Sequence, residues 1–421
     1  MPSTRRMLTD AAAEHLCALM FEPSEQRIGL ELEWPVHCGE DVTARPAPGV
    51  MRRAAQAELP YGSRITFEPG GQVELSSAPQ RCVADALEAV RADEQALRSE
   101  LAALGLAAET MAVDDRRPPL RVLDHGRYAA MEAFFAAQGG AAQGGAAQGG
   151  AGRWMMCNTA GLQVNISHDS DDPSERWRTM HLIAPTLIAA FANSPGTSQD
   201  GTRWASVRQG IWWSIDQART RPVRTDMAPG RAWLDYALAA DVMFVNGHGP
   251  WGPDGMAIPP GLPFGGWMAN GHDIGWPTPG DLQYHLSTLF PPVRPRGWLE
   301  LRVLDALPEW IREVAALVVA AACTREAGRE LRNRITPPSR PSWRDAARYG
   351  LRHPEFLAAA RELFTVAQEN LGRVSDRAGH AALVEGYRRE YVEAGRMPGD
   401  DLARQVDLRP SVSLPPALAS K

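Results

Sequence analysis

The sequence of 421 residues predicts an α+β fold. Two observations lead to it: four short segments alternate apolar and polar side chains as β-strands do, and the chain beyond Pro308 carries helical periodicity almost throughout. With 44% hydrophobic residues, the chain can bury a large core. We expect a single domain over residues 1–400, in which 306–400 is mainly helical, followed by a loosely held tail over 401–421.

Amphipathic patterns with a three- to four-residue repeat predict the helices. These segments are Arg81–Leu104 before Gly105, Asp172–Phe191 before the turn-forming Asn193-Ser194-Pro195-Gly196, Asp305–Arg334, Trp343–Tyr349, Glu355–Leu371 and Asp376–Ala394. Within residues 136–150 the pentamer Ala-Ala-Gln-Gly-Gly occurs three times. This repeat predicts a flexible low-complexity loop, because it offers no large apolar side chain to bury.

Four segments are predicted to be strands with one packed and one polar face. They are Arg27–Trp34, Ile65–Ser76, Gly161–Ser167 and Trp298–Leu304. Their polar faces carry Glu31 and Glu33, then Gln72, Glu74 and Ser76, then Gln163, Asn165 and Ser167, and lastly Glu300 and Arg302. Glu68 lies just before the break at Pro69-Gly70-Gly71 in the second segment. An ordinary solvated face explains any one of these strands, but the same division in all four favours a shared chemical face.

The paired carboxylates indicate a metal site. Glu31 and Glu33 stand about 7 Å apart on one strand, so their mutual repulsion needs a compensating cation. Glutamate and asparagine are also poor strand formers, which argues that they have a functional reason to be there. Because oxygen donors predominate and these strands hold neither cysteine nor paired histidine, Mg²⁺ is favoured over zinc, with Mn²⁺ as a second possibility.

A second group of candidate residues follows the Asn-Ser-Pro turn. Within a dozen residues the chain places Arg208, Trp212, Trp213, Asp216 and Arg219. Arginine binds carboxylates and phosphates bidentately, and an indole ring can cover the aliphatic part of a bound amino acid. The alternative is a helix whose tryptophans belong to the core and whose arginines pair with the aspartate. Arg127 and Arg153 supply further cationic groups near the repeat.

Charge and cysteine content argue against several classes of partner. The 44 basic and 50 acidic residues give a formal charge of -6, which is not typical of a nucleic-acid-binding surface. Five cysteines without paired close spacing indicate reduced thiols rather than disulfides or a thiolate zinc site. The longest apolar run, Val314–Cys323, is about half of the ~20 residues of a membrane span. A signal peptide would have an apolar run near the start of the chain, but this position holds Asp10, Glu14 and His15. We therefore expect a cytoplasmic protein without a membrane partner.

Several short motifs follow one another in a fixed order. They are Gly29-Leu30-Glu31-Leu32-Glu33, Phe67-Glu68-Pro69-Gly70-Gly71-Gln72-Val73-Glu74-Leu75-Ser76, Gln163-Val164-Asn165, Phe191-Ala192-Asn193-Ser194-Pro195, Ser206-Val207-Arg208, Asp216 with Arg219, and Glu300-Leu301-Arg302. This combination resembles glutamate–cysteine ligase of the plant-like type over about Arg27 to about Pro308. Within that family the chain is most similar to actinobacterial enzymes that make γ-glutamylcysteine for ergothioneine synthesis.

The resemblance implies a fold related to glutamine synthetase. In that fold an antiparallel sheet curls into a cup, with helices outside and the active site on the concave face. The single domain would then be catalytic, and would use ATP to join the γ-carboxyl of L-glutamate to the amine of L-cysteine through a γ-glutamyl phosphate. Magnesium ligands implied by the resemblance are Glu31, Glu33, Glu68, Glu74, Gln163 and Glu300.

The resemblance also implies roles for individual cationic residues. Arg302 would contact the transferred phosphoryl group, and Glu300 is the second catalytic candidate. From its position near the repeat, Arg153 is a further candidate for binding the nucleotide phosphates. Arg208 would hold the α-carboxylate of glutamate. The remaining candidates for substrate binding are Trp212, Arg219, Arg127 and Asn165.

Two alternative functions stay open from the sequence. One is another ATP-dependent carboxylate–amine ligase of the same fold that uses glutamate with a different amine. The other is a non-catalytic regulator that binds nucleotide and metal. The retained Glu300-Leu301-Arg302 sequence argues against the regulator, because a protein without turnover has no need of it.

Overall fold

The predicted strand segments lie together in one six-stranded antiparallel sheet. The computed structural model describes residues 7–139, 150–169, 171–197, 201–245, 255–336 and 340–405. Its strands are β1 (Ile28–Trp34), β2 (Val36–Cys38), β3 (Arg64–Phe67), β4 (Val73–Ser76), β5 (Leu106–Ala108), β6 (Gly161–Ile166), β7 (Gly196–Thr197), β8 (Arg203–Trp204), β9 (Phe244–Val245), β10 (Met256–Ala257), β11 (Val293–Pro295) and β12 (Leu299–Asp305). The large sheet has the order β11-β12-β6-β1-β4-β3, and the remaining strands pair as β2-β5, β7-β8 and β9-β10.

Alternation along the strands decides which face of the sheet packs against the core. Leu30, Val164 and Leu301 lie in register across β1, β6 and β12 and are all buried. Their neighbours along each strand therefore point to the opposite, polar face. All four predicted strand segments are confirmed, and the turn after Glu68 divides the second into β3 and β4.

Helices surround the sheet and make up most of the second half of the chain. They are α1 (Asp10–Leu19), α2 (Pro48–Ala54), α3 (Val83–Ala103), α4 (Gly126–Gly139), α5 (Ala151–Asn158), α6 (Pro173–Ala190), α7 (Val207–Ser214), α8 (Gln217–Thr220), α9 (Pro229–Ala239), α10 (Phe264–Asn270), α11 (Pro279–Leu286), α12 (Glu309–Ala322), α13 (Arg325–Arg334), α14 (Arg340–Tyr349), α15 (Pro354–Asn370), α16 (Ala378–Tyr387) and α17 (Pro398–Gln405). Helices α6 and α12 contact the sheet, and α15 packs on both of them.

Predicted helix boundaries agree with the structure where a capping residue marks them. Asp172 caps α6 by accepting from Ser174 N, and Gly105, with a φ of 73°, follows the end of α3. The segment predicted to be helical from Asp305 is wrong at its start, because Asp305 is the last residue of β12. That segment is also interrupted, since Thr324 accepts from Ala327 N and begins a new helix, α13.

Two segments predicted to be irregular are helical where they begin. Residues 136–139 continue α4, so the prediction of a loop from 136 is wrong at that end, and the repeat from 140 to 149 lies outside the described residues. Residues 401–405 complete α17, whereas 406–421 lie outside the described part. The predicted reduced thiols are confirmed, because all five cysteines are free. In the described ranges, no helix combines the length and apolar character needed to span a bilayer.

Two buried histidines, His181 and His285, have lowered pKa values that make the free energy of unfolding depend on pH. Burial is the main reason that the pKa of His181 falls to about 4 and the pKa of His285 to about 3. His285 Nε2 lies 2.9 Å from the carbonyl oxygen of Ala237, and His181 Nδ1 lies 2.9 Å from that of Trp177. Both rings are therefore neutral in the native protein at neutral pH.

We expect His285→Gln to flatten the acid side of the stability curve. Between pH 6.5 and 4 the unfolded chain takes up a proton at His285 that the native chain does not, so the free energy of unfolding falls by up to ~1.4 kcal/mol per pH unit for this group as pH is lowered. Glutamine can keep the bond to Ala237 but cannot titrate. Urea unfolding at several pH values would measure the slope, with exposed His15→Gln as the matched control, and equal slopes for both variants would contradict the expectation.

Candidate active site

Glutamates from β1 and β4 face one another on the polar side of the sheet. Glu33 pairs in register with Glu74, and Glu31 with Ser76. Two hydroxyl groups orient the Glu74 carboxylate, because Thr66 Oγ1 and Ser76 Oγ donate to its Oε1 at 2.7 and 3.0 Å. The structure therefore brings together three of the glutamates predicted from separate strand segments.

Amide side chains of β6 donate hydrogen bonds to the row of glutamates formed by Glu31, Glu33 and Glu74. Gln163 Nε2 donates to Glu33 Oε1 at 3.2 Å, and Asn165 Nδ2 donates to Glu31 Oε1 at 2.9 Å. The backbone N–H of Gly161 donates to the other Glu33 oxygen at 2.8 Å. Asn165 Oδ1 is buried and finds no hydrogen-bond partner in the described part of the chain, so an oxygen donor remains available beside Glu31.

Electrostatics place Glu68 with the same glutamates although it belongs to a turn. Burial is the largest cause of raised pKa values here, and it brings the pKa of Glu31 to about 7. Burial also raises the pKa of Glu33. Burial, followed by the charges of Glu74 and Glu33, raises the pKa of Glu68 well above its usual range. The cluster is thus short of positive charge.

Glu300 differs from these glutamates because three arginines surround it. Its Oε2 lies 2.5 Å from Arg294 Nε and 3.5 Å from Arg302 Nη1, and its Oε1 lies 3.2 Å from Arg296 Nη1. Burial opposes the charge of Glu300, but Arg294 and Arg302 outweigh burial and lower its pKa. Both carboxylate oxygens of Glu300 therefore already contact guanidinium groups. The predicted role of Glu300 as a magnesium ligand stays a prediction.

Arg302 lies at a β-bulge and reaches Gln163 beside the glutamates. Leu301 pairs with Val164 but Leu304 pairs with Leu162, so β12 has one extra residue opposite Gln163. Arg302 Nη1 donates to Gln163 Oε1 at 2.6 Å. Burial lowers the pKa of Arg302 to about 10, and the guanidinium still carries its charge at neutral pH.

Helix α7 brings Arg208 to the same face of the sheet. Ser206 caps the helix by accepting from Gln209 N, and Arg208 follows in the first turn with 3% of its surface exposed. Its guanidinium lies directly over Gly161, where a Cβ atom would stand 2.3 Å from Nη2. A glycine is needed at this position of β6 because any side chain would displace Arg208.

Arg219, which was predicted to bind substrate, is committed to contacts within the protein. Its Nε lies 3.0 Å from Asp216 Oδ2, its Nη1 donates to Thr288 Oγ1 at 2.9 Å, and its Nη2 donates to the carbonyl oxygen of Asp241. The side chain is fully buried, and its guanidinium lies 4.7 Å from the centre of the Phe134 ring. These contacts give Arg219 a structural role in holding α8 against the segments around Asp241 and Thr288.

The two other cations near the repeat also have partners outside the row of glutamates. Arg127 donates to Ser287 Oγ and to the carbonyl oxygen of Ser287, both at 2.7 Å. Arg153 pairs with Glu132. No described contact joins either of them to the strand glutamates, so their predicted roles in binding substrate and nucleotide stay predictions.

Trp212 lies next to Arg302 in a cavity of about 30 Å³. The Arg302 guanidinium is 5.8 Å from the centre of the Trp212 ring, which is suitable geometry for a cation–π contact. Phe290 meets Trp212 edge to face, and Trp213 also lines the cavity. The flat apolar wall predicted from the sequence is therefore beside the charged row, with Arg302 common to both.

Sequence reasoning missed four residues that shape the site. Arg294 and Arg296 flank Glu300 from β11 and the turn after it, and Tyr128 has its pKa raised to about 12 by burial, followed by Glu68. Asp305 is buried near Arg208 at the end of β12. The arginines two residues apart before Glu300 were a detectable signal, whereas the position of Asp305 depends on the bulge.

The donor atoms fit a hard divalent cation in chemistry and charge. Glu31, Glu33, Glu68 and Glu74 supply carboxylate oxygens, and burial with mutual repulsion raises the pKa values of the first three. Asn165 Oδ1 has no hydrogen-bond partner among the residues that the structure describes. Within the described ranges, no group of three or more histidine, cysteine or acidic side chains is arranged so that it could hold a metal ion. The fit is therefore one of donor chemistry and charge, and not of a preformed coordination geometry.

The fold and this face can be compared with those of known proteins. The glutamate–cysteine ligase of Francisella tularensis in complex with AMP superposes with a TM-score of 0.52 over 91% of this chain and 86% of its own, at 13% identity. A bifunctional glutathione synthetase from Pasteurella multocida gives 0.51 over 98% of this chain and 54% of its own, at 12% identity. The class of fold is therefore that of the glutamate–cysteine ligases, and the α+β prediction is confirmed.

Sequence comparison gives the family. Glutamate–cysteine ligase EgtA of Mycolicibacterium smegmatis is 37% identical over 95% of this chain and 92% of its own, and EgtA of Mycobacterium tuberculosis is 35% identical over 94% and 90%. The chloroplastic glutamate–cysteine ligase of Arabidopsis thaliana is 29% identical over 59% of this chain and 46% of its own. Glutamate-cysteine ligase family 2 matches residues 27–412, so the chain belongs to this family, and the predicted resemblance is confirmed.

Gly161→Ala should impair the site while leaving the fold intact. The added Cβ would stand 2.3 Å from Arg208 Nη2, and a flexible guanidinium can move aside more easily than the backbone of β6. We expect turnover to fall by about 100-fold, the scale of losing one positioned charged group. Steady-state kinetics and thermal unfolding would measure both effects. Gly379→Ala, where a Cβ meets nothing within 4 Å, is the matched control, and unchanged kinetics in Gly161→Ala would contradict the placement of Arg208.

Proposed function

We propose that the protein joins the γ-carboxyl of L-glutamate to the amine of L-cysteine at the expense of ATP, giving γ-glutamylcysteine. The observation that carries this proposal is the convergence of glutamates and arginines from separate strands on one sheet face, in a chain of this ligase family. The near full-length likeness to the mycobacterial EgtA ligases supports the same reaction. It also supports supply of γ-glutamylcysteine for ergothioneine synthesis.

The chemistry explains why such a face needs many charges. A carboxylate is a poor acyl donor because its leaving group would be oxide, so phosphorylation by ATP must precede attack by the amine. The intermediate is a γ-glutamyl phosphate, and the protein positions reactants and stabilises charge without supplying a nucleophile. Glu31, Glu33, Glu68 and Glu74, with Gln163 and Glu300 as further candidates, would hold magnesium or manganese, which when bound compensates the charge of the ATP phosphates.

Arg302 is the residue best placed to contact the transferred phosphoryl group. Its guanidinium reaches the centre of the row through Gln163 and is held from behind by Glu300. A partly buried, oriented cation stabilises developing negative charge more than a solvated one does, because no solvent must reorganise around it. Glu300 therefore supports catalysis by orienting Arg302, and Arg294 and Arg296 keep Glu300 ionised.

Arg208 is proposed to bind the α-carboxylate of glutamate. It lies beside Glu33 on the polar face, and Trp212 stands one turn further along α7. An arginine fork beside an indole suits the carboxylate and the methylenes of an amino acid. Asn165, Arg127, Arg153 and Arg219 remain weaker candidates, because their described contacts are with protein groups.

We further propose that the polar face is the concave side of a cup. Helix α7 and the turn after Glu68 approach this face from different parts of the chain, which supports an enclosed site. Residues 1–400 would form one catalytic domain around it. The ligands are small molecules, L-glutamate, L-cysteine and ATP, and no nucleic-acid or membrane partner is proposed.

Leaving out each substrate in turn tests the reaction directly. We expect ADP formation, followed in a coupled assay, to require glutamate, and amide-bond formation to require cysteine. Replacing cysteine by 2-aminobutyrate or other amino acids identifies the amine. A higher rate with another amine would favour a different carboxylate–amine ligase, and ATP binding without glutamate-dependent ADP formation would favour a regulator.

Arg302→Lys should lower turnover by at least ~100-fold with the fold retained. Lysine keeps the charge but loses the fork that joins Gln163 to the reacting phosphate. Steady-state ADP formation would measure the loss, and circular dichroism would check the fold. Exposed Arg224→Lys, whose partner Asp226 is a surface residue, is the control, and near-normal turnover of Arg302→Lys would refute its role.

A further inference from the structure

Asp305 is a buried carboxylate that the proposed reaction does not yet use. It is 2% exposed and lies at the end of β12, in register with Gly161 of β6. Since the bulge after Leu301 shifts the alternation by one residue, Asp305 faces the polar side of the sheet. Asp305 is thus on the same face as Arg302 and beside the glycine over which Arg208 lies.

Three donors converge on the two oxygens of this carboxylate. Asn193 N and Ser194 Oγ donate to Oδ2, both at 2.8 Å, and Ser206 Oγ donates to Oδ1 at 2.9 Å. The donors come from the turn after α6 and from the capping residue of α7, and both are about a hundred residues before Asp305 in the sequence. A charged acceptor with three buried donors is a strong local anchor.

The anchor continues into the first turn of α7. Val207 N donates to the carbonyl oxygen of Ser194 at 2.8 Å, and Arg208 N donates to Ser194 Oγ at 3.2 Å. Ser206 Oγ also accepts from Gln209 N at 3.2 Å, which fixes the start of the helix. The backbone of Arg208 is therefore set through the same hydroxyl groups that bind Asp305.

The guanidinium of Arg208 is held more loosely than its backbone. Its Nη1 lies 4.0 Å from Asp305 Oδ1, and both Nη atoms lie 3.5 Å from the carbonyl oxygen of Arg302. Its Nε is buried and has no hydrogen-bond partner among the described residues. A buried cation with unused donors favours an anionic ligand, while the nearby aspartate keeps its charge tolerable in the interior.

We propose that Asp305 is a positioning residue that fixes Arg208 for recognition of the α-carboxylate of glutamate. The inference rests on the proposed function, in which Arg208 contacts that group. It goes further in assigning the selectivity for the acyl donor to a residue that need not touch the substrate. Asp305 contributes to glutamate affinity through the first turn of α7, and not to the binding of ATP or cysteine.

Asp305→Asn tests this role because it keeps the shape of the side chain and removes its charge. We expect KM for glutamate to rise about tenfold, the scale of weakening one charge-assisted hydrogen bond, with KM for ATP and for cysteine unchanged. The inhibition constant of 4-aminobutyrate, which has the reacting carboxyl and the amine of glutamate but no α-carboxylate, should also stay unchanged. A general structural defect would weaken both glutamate and 4-aminobutyrate.

Asp93→Asn is the matched control. Asp93 is also fully buried and accepts from two backbone N–H groups, Tyr61 N at 2.7 Å and Ser63 N at 3.0 Å, but its contacts lie at α3 and the segment before β3. Its variant should lose thermal stability without any change in KM for glutamate. The proposal is overturned if Asp305→Asn leaves KM for glutamate unchanged. It is also overturned if KM for glutamate and the inhibition constant of 4-aminobutyrate rise by the same factor.

Ser206→Ala provides a second route if Asp305→Asn does not fold. It removes one donor to Asp305 and the cap of α7 but leaves the carboxylate in place. We therefore expect a smaller rise in KM for glutamate, again with KM for ATP and for cysteine and the inhibition constant of 4-aminobutyrate unchanged. An unchanged KM in that variant counts against the proposal. Failure of the underlying function looks different, because the unmodified protein would then show no glutamate-dependent ADP formation.

Discussion

Repulsion among carboxylates on one sheet face is the constraint on which the site depends. Antiparallel pairing places Glu33 opposite Glu74 and Glu31 beside Gln163, whose side-chain oxygen accepts a hydrogen bond from Arg302. Burial raises the pKa values of Glu31 and Glu33, and Arg302 opposes the increase at both. The face is stable as a scaffold because the opposite side of the same strands is buried apolar surface, and its charge surplus is what makes it suited to cations and phosphates.

The alternation of apolar and polar residues was sufficient to predict four strand segments but not the edge strand β11 of the sheet. A period of two is a property of a single segment, so β1, β6 and β12 were recognisable without knowledge of their partners. The edge strand β11 has only three residues and contains proline, which gives no alternation to detect. The interruption of the C-terminal helical run at Thr324 was equally hidden, because the apolar periodicity continues across it.

Two arginines with the same sequence context have different environments. Arg208 and Arg219 both lie close to tryptophans and Asp216, and both were predicted to bind substrate, with pairing to Asp216 as the alternative. Arg219 follows the alternative, since Thr288 and Asp241 supply its other acceptors from distant parts of the chain. Arg208 lies over Gly161, and its Nε has no described partner. Only long-range packing separates the two, which is why spacing alone could not.

The bulge in β12 explains why the acidic residue that supports Arg208 escaped the sequence pattern. Strict alternation from Glu300 and Arg302 would put the next polar-facing position at residue 304, which is leucine, and would send Asp305 toward the core. The extra residue opposite Gln163 reverses that parity, so Leu304 packs with Leu162 and Asp305 meets Gly161. One irregularity thus leaves Arg302 on the glutamate face and brings Asp305 to the turn that carries Ser194, where Asp305 supports the start of the helix that holds Arg208.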